Sequence, residues 1–274
     1  MSFCVVFGAC SVYFGLAYLE VNRRLEEILA IIDPGEGDER AELNAILRYA
    51  ESRGGSETTQ KLHPLNPLLK FLKADPEQVD RLGGHCGNLS RLTISLLHIR
   101  GIEAHKIHLF NLDGYDRTPP EPYVHAVVEA RLETGWAVAD PLYGIVYRSG
   151  SELASFADLR SDPSLVEAQT PSTYPADLYT YQEIRGIRWT VLPWGERLHG
   201  VLVSWLGPEA INGFRYPYIL ERPNLLQAAL SVVLSVLMFC LHRLLTGRVR
   251  RRSGRASAVV GPPASELEPS SQSR

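Results

Sequence analysis

The sequence predicts an α+β domain held between two membrane-spanning helices, and three observations lead there. Ser2–Leu19 reads SFCVVFGACSVYFGLAYL and Leu225–Leu241 reads LLQAALSVVLSVLMFCL, both without a charged residue. Between them, apolar residues recur at helical spacing as far as Arg100. From Ile102 onward they alternate at strand spacing. Helices followed by strands in sequence order give an α+β fold with an antiparallel sheet.

At 1.5 Å per residue each uncharged run gives about 26 Å of helix, slightly less than a hydrocarbon core of about 30 Å. A cleaved signal peptide competes for the first run. It lacks a basic n-region and a small-x-small cleavage site before Glu20, which favours an uncleaved anchor. Arg243, Arg248, Arg250, Arg251, Arg252 and Arg255 follow the second run. Arginines beside a span stay on the cytoplasmic side, so the C-terminal tail is expected in the cytoplasm and the central domain in the periplasm or outside the cell. Arg23 and Arg24 oppose this but are outnumbered and lie among Glu20, Glu26 and Glu27. The expected location is therefore a membrane, with a bacterial inner membrane the best fit and the lipid bilayer a partner.

Charge excludes one class of partner. The chain has 28 basic and 31 acidic residues; removing the seven arginines and two glutamates beyond residue 242 leaves the rest near −8. A body of that charge has no cationic face for phosphates, so no nucleic-acid partner is expected.

The boundaries follow from the pattern: 1–20 a span or signal anchor, 21–80 a helical lead-in, 81–195 the core, 196–223 a membrane-proximal segment, 224–242 the second span, and 243–274 a basic and then disordered tail. In the lead-in, Leu25, Ile28, Leu29 and Ile32 share one helical stripe, and Leu43, Ile46 and Leu47 share another beyond Asp33-Pro34-Gly35. A short helix is expected over Asn66–Lys73, stopped before Pro76. Asn88–Arg100 carries Leu89, Leu92, Leu96 and Leu97 on one stripe, with Gly101 as its C-terminal cap. Strands follow at Ile102–Phe110, Tyr123–Leu132 and Gly135–Asp140, the last two joined through Glu133-Thr134. Ser161–Tyr181, rich in Pro, Ser, Thr and Asp, reads as a surface loop, and Ile187–Pro193 as one more strand.

Chemistry concentrates at Cys86. Cys4, Cys10 and Cys240 fall in the apolar runs, so Cys86 has no disulfide partner in the central domain. It lies in GGHCGN, at the start of the helix over Asn88–Arg100. Unpaired N–H groups at a helix N-terminus favour the thiolate, a histidine can take the proton, and a carboxylate can orient the histidine. In YVHAVVEARL, His125, Val127 and Glu129 share a face; in GWAVAD, Trp136, Val138 and Asp140 do. A hairpin of these two strands can bring His125 to Asp140.

The ordered set GGHCGNLSRLTISLLHIRGIEAHKIHL and YVHAVVEARLETGWAVADPLYG resembles the core of the transglutaminase-like superfamily. It covers about Arg81 to Gly144. The resemblance implies a papain-like architecture, with Cys86 as nucleophile, His125 as base and acid, and Asp140 as orienter. It implies cleavage or transfer at amide bonds of a protein or peptide, with no cofactor required. A transglutaminase-like binding or scaffold domain with weak or absent catalysis is the alternative. The pattern is also similar to arylamine N-acetyltransferases; here Gly87 and Asn88 stand where an acidic residue follows the cysteine in that family.

A metal centre from His85, Cys86, His105, His108 and His125 is a competitor with poor spacing, because His105 and His108 point to opposite faces of a strand. No metal site is expected. Trp136 reads as a core aromatic or a wall of the cleft, and Asn88-Leu89-Ser90 as a chance glycosylation match inside a helix.

Overall fold

The computed structural model describes residues 2–32, 37–55, 76–111, 123–176, 178–182, 184–187, 189 and 194–259. In chain order these form α1 (Ser2–Ile32), α2 (Glu39–Ser52), α3 (Pro76–Leu82), α4 (Cys86–Ile99), β1 (Glu103–Phe110), β2 (Tyr123–Leu132) and β3 (Gly135–Asp140). The short strands β4 (Ile145–Val146), β5 (Arg148–Ser149) and β6 (Glu152–Leu153) follow, then α5 (Phe156–Ser161), α6 (Ser164–Glu167) and β7 (Ile184–Arg185). The chain closes with α7 (Gly195–Leu206), α8 (Pro208–Asn212), a 3₁₀ turn (Tyr218–Glu221) and α9 (Pro223–Val259). The helix expected over Asn66–Lys73 lies outside the described residues.

Two compact units result, Phe14–Gln227 and the pair Met1–Tyr13 with Ala228–Arg274. The second unit holds the outer parts of α1 and α9. Its apolar side chains Val5, Val6, Val12, Val232, Val236, Leu237 and Phe239 are exposed. Two helices, Val5–Ile32 and Pro223–Thr246, are long and apolar enough to cross a membrane. An apolar surface of that extent is stable where lipid covers it. α9 continues to Val259, so residues 256–259, expected in a disordered tail, are helical.

Within the unit Phe14–Gln227, α1 changes role along its length. Leu16 and Leu19 are exposed, whereas Val21, Leu25, Ile28 and Leu29 are buried in the core. Arg23 and Arg24, the basic residues that oppose the charge rule, pair with Glu20 and Glu27. Helix α2 is capped by Asp38, whose carboxylate accepts from the N–H groups of Arg40 and Ala41, and it buries Leu43, Ile46, Leu47 and Ala50. Pro76, expected only to stop a preceding helix, begins α3, since its missing N–H costs nothing in a first turn.

The sheet runs β4-β3-β2-β1-β7, and every neighbouring pair is antiparallel. Period-two alternation divides the core. Ala104, Val128, Ala130, Ala137 and Ala139 face α1, α2 and α4. Ile107, Leu109, Val127 and Val138 face Tyr147, Leu159, Tyr174 and Tyr181 on the other side. The segment Ser161–Tyr181 is therefore not a surface loop throughout, because Val166, Tyr174 and Tyr181 are buried in the second core. A short strand lies at Ile184–Arg185, and the strand expected over Ile187–Pro193 falls mostly outside the described residues. The short strand ends at Gly186, whose N–H donates to the Asn212 carbonyl and where a Cβ would strike the Phe214 carbonyl.

Replacing Leu25 by Ala, at 0 % exposure, is expected to cost about 2–5 kcal/mol through a cavity in the core. Leu16→Ala, at 62 % exposure, is expected to change stability by no more than about 0.5 kcal/mol. Thermal unfolding of the two variants checks the change of role along α1.

Candidate thiol site

Cys86 is the first residue of α4. The approach is set by the preceding glycines. Gly83 has φ +73°, and the Gly84 N–H donates to the Arg53 carbonyl at 3.1 Å. A Cβ on Gly84 would lie 2.7 Å from the Asn88 Cβ, so only glycine lets the chain fold back this tightly on its own helix. His85 is the N-cap; its carbonyl accepts from Asn88 and Leu89, while its side chain is exposed and caps nothing. At the other end, Gly101 with φ +81° closes α4. The Ile102 N–H reaches the Leu97 carbonyl at 2.9 Å and the Gly101 N–H reaches the His98 carbonyl at 3.1 Å.

Two adjacent strands supply the other groups. His125 pairs with Leu109 in the β1–β2 register, which shifts immediately beyond, between Leu109 and Phe110. Glu129 lies opposite Val138 and Val128 opposite Ala139, so Asp140 sits diagonally across from His125 on the same face. His125 Nε2 donates to Asp140 Oδ2 at 2.6 Å, with both side chains fully buried. The Leu142 N–H donates to Asp140 Oδ1 at 3.0 Å and the Tyr143 N–H at 3.4 Å, and the Tyr174 hydroxyl donates to Oδ2 at 3.4 Å. Four donors converge on one carboxyl, which is what a buried anion needs.

With Nε2 committed to Asp140, the nitrogen left to exchange a proton is Nδ1, which is buried and has no hydrogen-bond partner of good geometry. The half-buried Cys86 thiol lies against this ring. Burial alone would raise the thiol pKa. The hydrogen bond and charge of His125, with the N–H groups of Ala126 and Gly87, outweigh it and hold the thiol below its ordinary value. His125 moves the opposite way. Burial lowers its pKa, but Asp140 and then Cys86 overcome this and raise it to about 9. Both shifts favour thiolate beside imidazolium.

One hydroxyl joins the two elements. Ser90, fully buried, has its Oγ 2.8 Å from the Cys86 carbonyl and 3.1 Å from the Ala126 carbonyl, so it links the first turn of α4 to the residue after His125.

Tyrosines close the site. Tyr179 stacks on the His125 ring at 4.2 Å, and Tyr143 and Tyr174 meet it edge-on. The hydroxyls of Tyr147, Tyr174 and Tyr181 form a ring of contacts of 3.0 to 3.3 Å. Burial pushes all three pKa values well up, so they remain neutral donors beneath Asp140. Reading the sequence did not find this cluster, although Tyr174, Tyr179 and Tyr181 within eight residues was a signal for it.

His105 and His108 have partners elsewhere. His105 lies 3.1 Å from Glu129, and His108 meets Tyr216 edge-on. Among the described residues, no three His, Cys, Asp or Glu side chains are grouped to hold a metal. Trp136 is half-buried, meets His105 edge-on and is covered by the Arg215 guanidinium at 3.9 Å.

Ser90→Ala is expected to cost about 1–3 kcal/mol, by taking the hydroxyl donor away from the buried Cys86 and Ala126 carbonyls. It is also expected to slow alkylation of Cys86, because α4 then loses its tie to β2. Unfolding and alkylation rates measured together check both. No protein-family model matches this chain, and no curated protein or solved structure is found similar to it, so its function is read from the site itself.

Proposed function

We propose that this chain is a membrane-anchored thiol enzyme of transglutaminase-like type, acting on amide bonds of an envelope protein or peptide. The observation that carries the reading is a buried histidine bonded to Asp140 through one nitrogen, with its other nitrogen left for a helix N-terminal thiol.

In this mechanism the Cys86 thiolate attacks the carbonyl carbon and forms a tetrahedral oxyanion. The backbone N–H of Cys86, at the first helical position and without an intrahelical acceptor, is the nearest donor for that oxyanion. Collapse expels the amine, which takes a proton from the His125 imidazolium and leaves an acyl thioester on Cys86. His125, now neutral, removes a proton from water or from a second amine as that group attacks the thioester. Water completes hydrolysis, and an amine completes transfer. Asp140 keeps the ring oriented and stabilises its charged form throughout. The mechanism requires no cofactor.

Orientation belongs to the same proposal. The arginines that follow the apolar run of α9 stay in the cytoplasm, and the unit Phe14–Gln227 faces the periplasm or the exterior. A reporter fused to the C-terminus is expected to be active only if it functions in the cytoplasm. Activity of a reporter that requires export would reverse the orientation.

The full chain is expected to react with a small alkylating agent at Cys86 well below pH 8.5, the ordinary thiol pKa being about that value. His125→Ala is expected to lose this advantage by at least about tenfold at neutral pH. On a peptide substrate the rate is expected to rise as Cys86 ionises and to fall again near pH 9, where His125 loses the proton that the leaving amine needs. An alkylation profile with its midpoint at the ordinary thiol value, unchanged in His125→Ala, would assign Cys86 to packing and favour the binding-domain alternative.

A further inference from the structure

Three charges that the proposed reaction does not use are buried beside the nucleophile helix. Lys106 on β1, Arg91 on α4 and Glu221 in the 3₁₀ turn are each 1 % exposed. Lys106 Nζ lies 2.8 Å from Glu221 Oε1 and 2.9 Å from Oε2, and Arg91 Nε donates to Oε2 at 3.0 Å. Charges so desolvated are costly unless each finds a partner, and here one carboxylate serves two cations.

The third bond of Lys106 gives the cluster its direction. Nζ donates to the Gly87 carbonyl at 2.9 Å. Gly87 follows Cys86 in the first turn of α4, and its own N–H is one of the donors that stabilise the Cys86 thiolate. The same residue is therefore gripped at its carbonyl by Lys106 while its amide faces the reacting sulfur.

We propose that Lys106, held in place by Glu221, is a positioning residue of the thiol site that fixes the first turn of α4 and so the aim of Cys86. The inference rests on the thiol chemistry proposed above. It also makes the segment entering α9 part of the site. Glu221 stands two residues before Pro223, where α9 begins. Its neighbour Arg222, equally buried, bonds Asn22 of α1, with its guanidinium 4.7 Å from the Tyr18 ring. The residue next to the carboxylate that holds Lys106, and just ahead of α9, is thus bonded to α1.

The charged and titratable groups around Lys106 are Glu221, Arg91, Cys86 and, at 5.9 Å, the Tyr216 ring; those around the Cys86 thiol are His125, Lys106 and Tyr179. Lys106 and Cys86 favour each other's charged form, and burial brings the Lys106 pKa down to about 8, so the lysine is charged at neutral pH. Removing it takes a positive charge from the thiolate's surroundings and a donor from Gly87.

The test is the pH profile of Cys86 alkylation in the full-length protein, wild type against Lys106→Met, with thermal unfolding of both. Methionine keeps the volume of the lysine stem and leaves Glu221 paired with Arg91. The expected result is a midpoint moved up by about one pH unit and a neutral-pH rate reduced about tenfold, a shift that lost packing alone would not produce. A folded Lys106→Met protein whose profile superimposes on the wild type overturns the positioning role and leaves the thiol reading standing. An inert wild-type thiol overturns both. If Lys106→Met does not fold, Glu221→Asp withdraws the carboxylate from Lys106 by one methylene while keeping its charge. A several-fold slower alkylation in that variant supports the proposal, and an unchanged rate overturns it.

Discussion

Cys86 and His125 belong to different elements, so the site exists only if α4 crosses the sheet with its first turn over the start of β2. That placement is the constraint on which the rest depends. It is fixed at two levels. Apolar contacts set it coarsely, since Leu89, Leu92, Leu96 and Leu97 of α4 pack in one core with Ala104, Val128 and Ala130 of the sheet. Polar contacts then set it finely. The Ser90 hydroxyl lies between the Cys86 and Ala126 carbonyls, and Lys106 holds Gly87 from β1. Hydrophobic burial is non-directional and supplies most of the stabilisation, whereas two short hydrogen bonds choose one register of helix on sheet. Neither would suffice alone.

The electrostatics follow from that geometry. Burial by itself disfavours both charged forms, raising the thiol pKa and lowering that of the imidazole. The structure reverses both tendencies by placing the two groups against each other and setting Asp140 behind the ring. Asp140 can remain buried because two backbone N–H groups, a phenol and the imidazole satisfy it. The tyrosine ring beneath excludes water without offering a competing base, since burial keeps its hydroxyls protonated. Part of α1 belongs to the same framework, since Val21, Leu25 and Ile28 lie in the core.

Much of this was legible in the sequence, for identifiable reasons. Helix α4 showed itself through its leucine stripe and Gly101, and β2 with β3 through period-two alternation and a two-residue turn, because these signals are local to each element. The same alternation set His125 with Val127 and Glu129, and Asp140 with Trp136 and Val138, on strand faces that a hairpin can bring together. The parts that were missed are those whose structure comes from distant partners. Strand β7 is two residues long and exists by pairing with β1, so no local pattern marks it. The tyrosine segment is rich in turn-forming residues and reads as surface, yet three of its side chains reach the second core. Glu221 lies 115 residues from Lys106 in the chain. The one local hint of that cluster was a lysine at 106, on the strand face that otherwise carries Ala104 toward the helices.

The central claim is that Cys86 is a thiolate at neutral pH because His125 holds its proton. Ultraviolet difference absorbance of the full-length protein, titrated from acid through pH 10 and compared with Cys86→Ser, measures that directly. The account predicts a thiolate signal already present at pH 7 and absent from Cys86→Ser. A signal that arises only as the pH passes about 8.5, the value of an ordinary thiol, would contradict it.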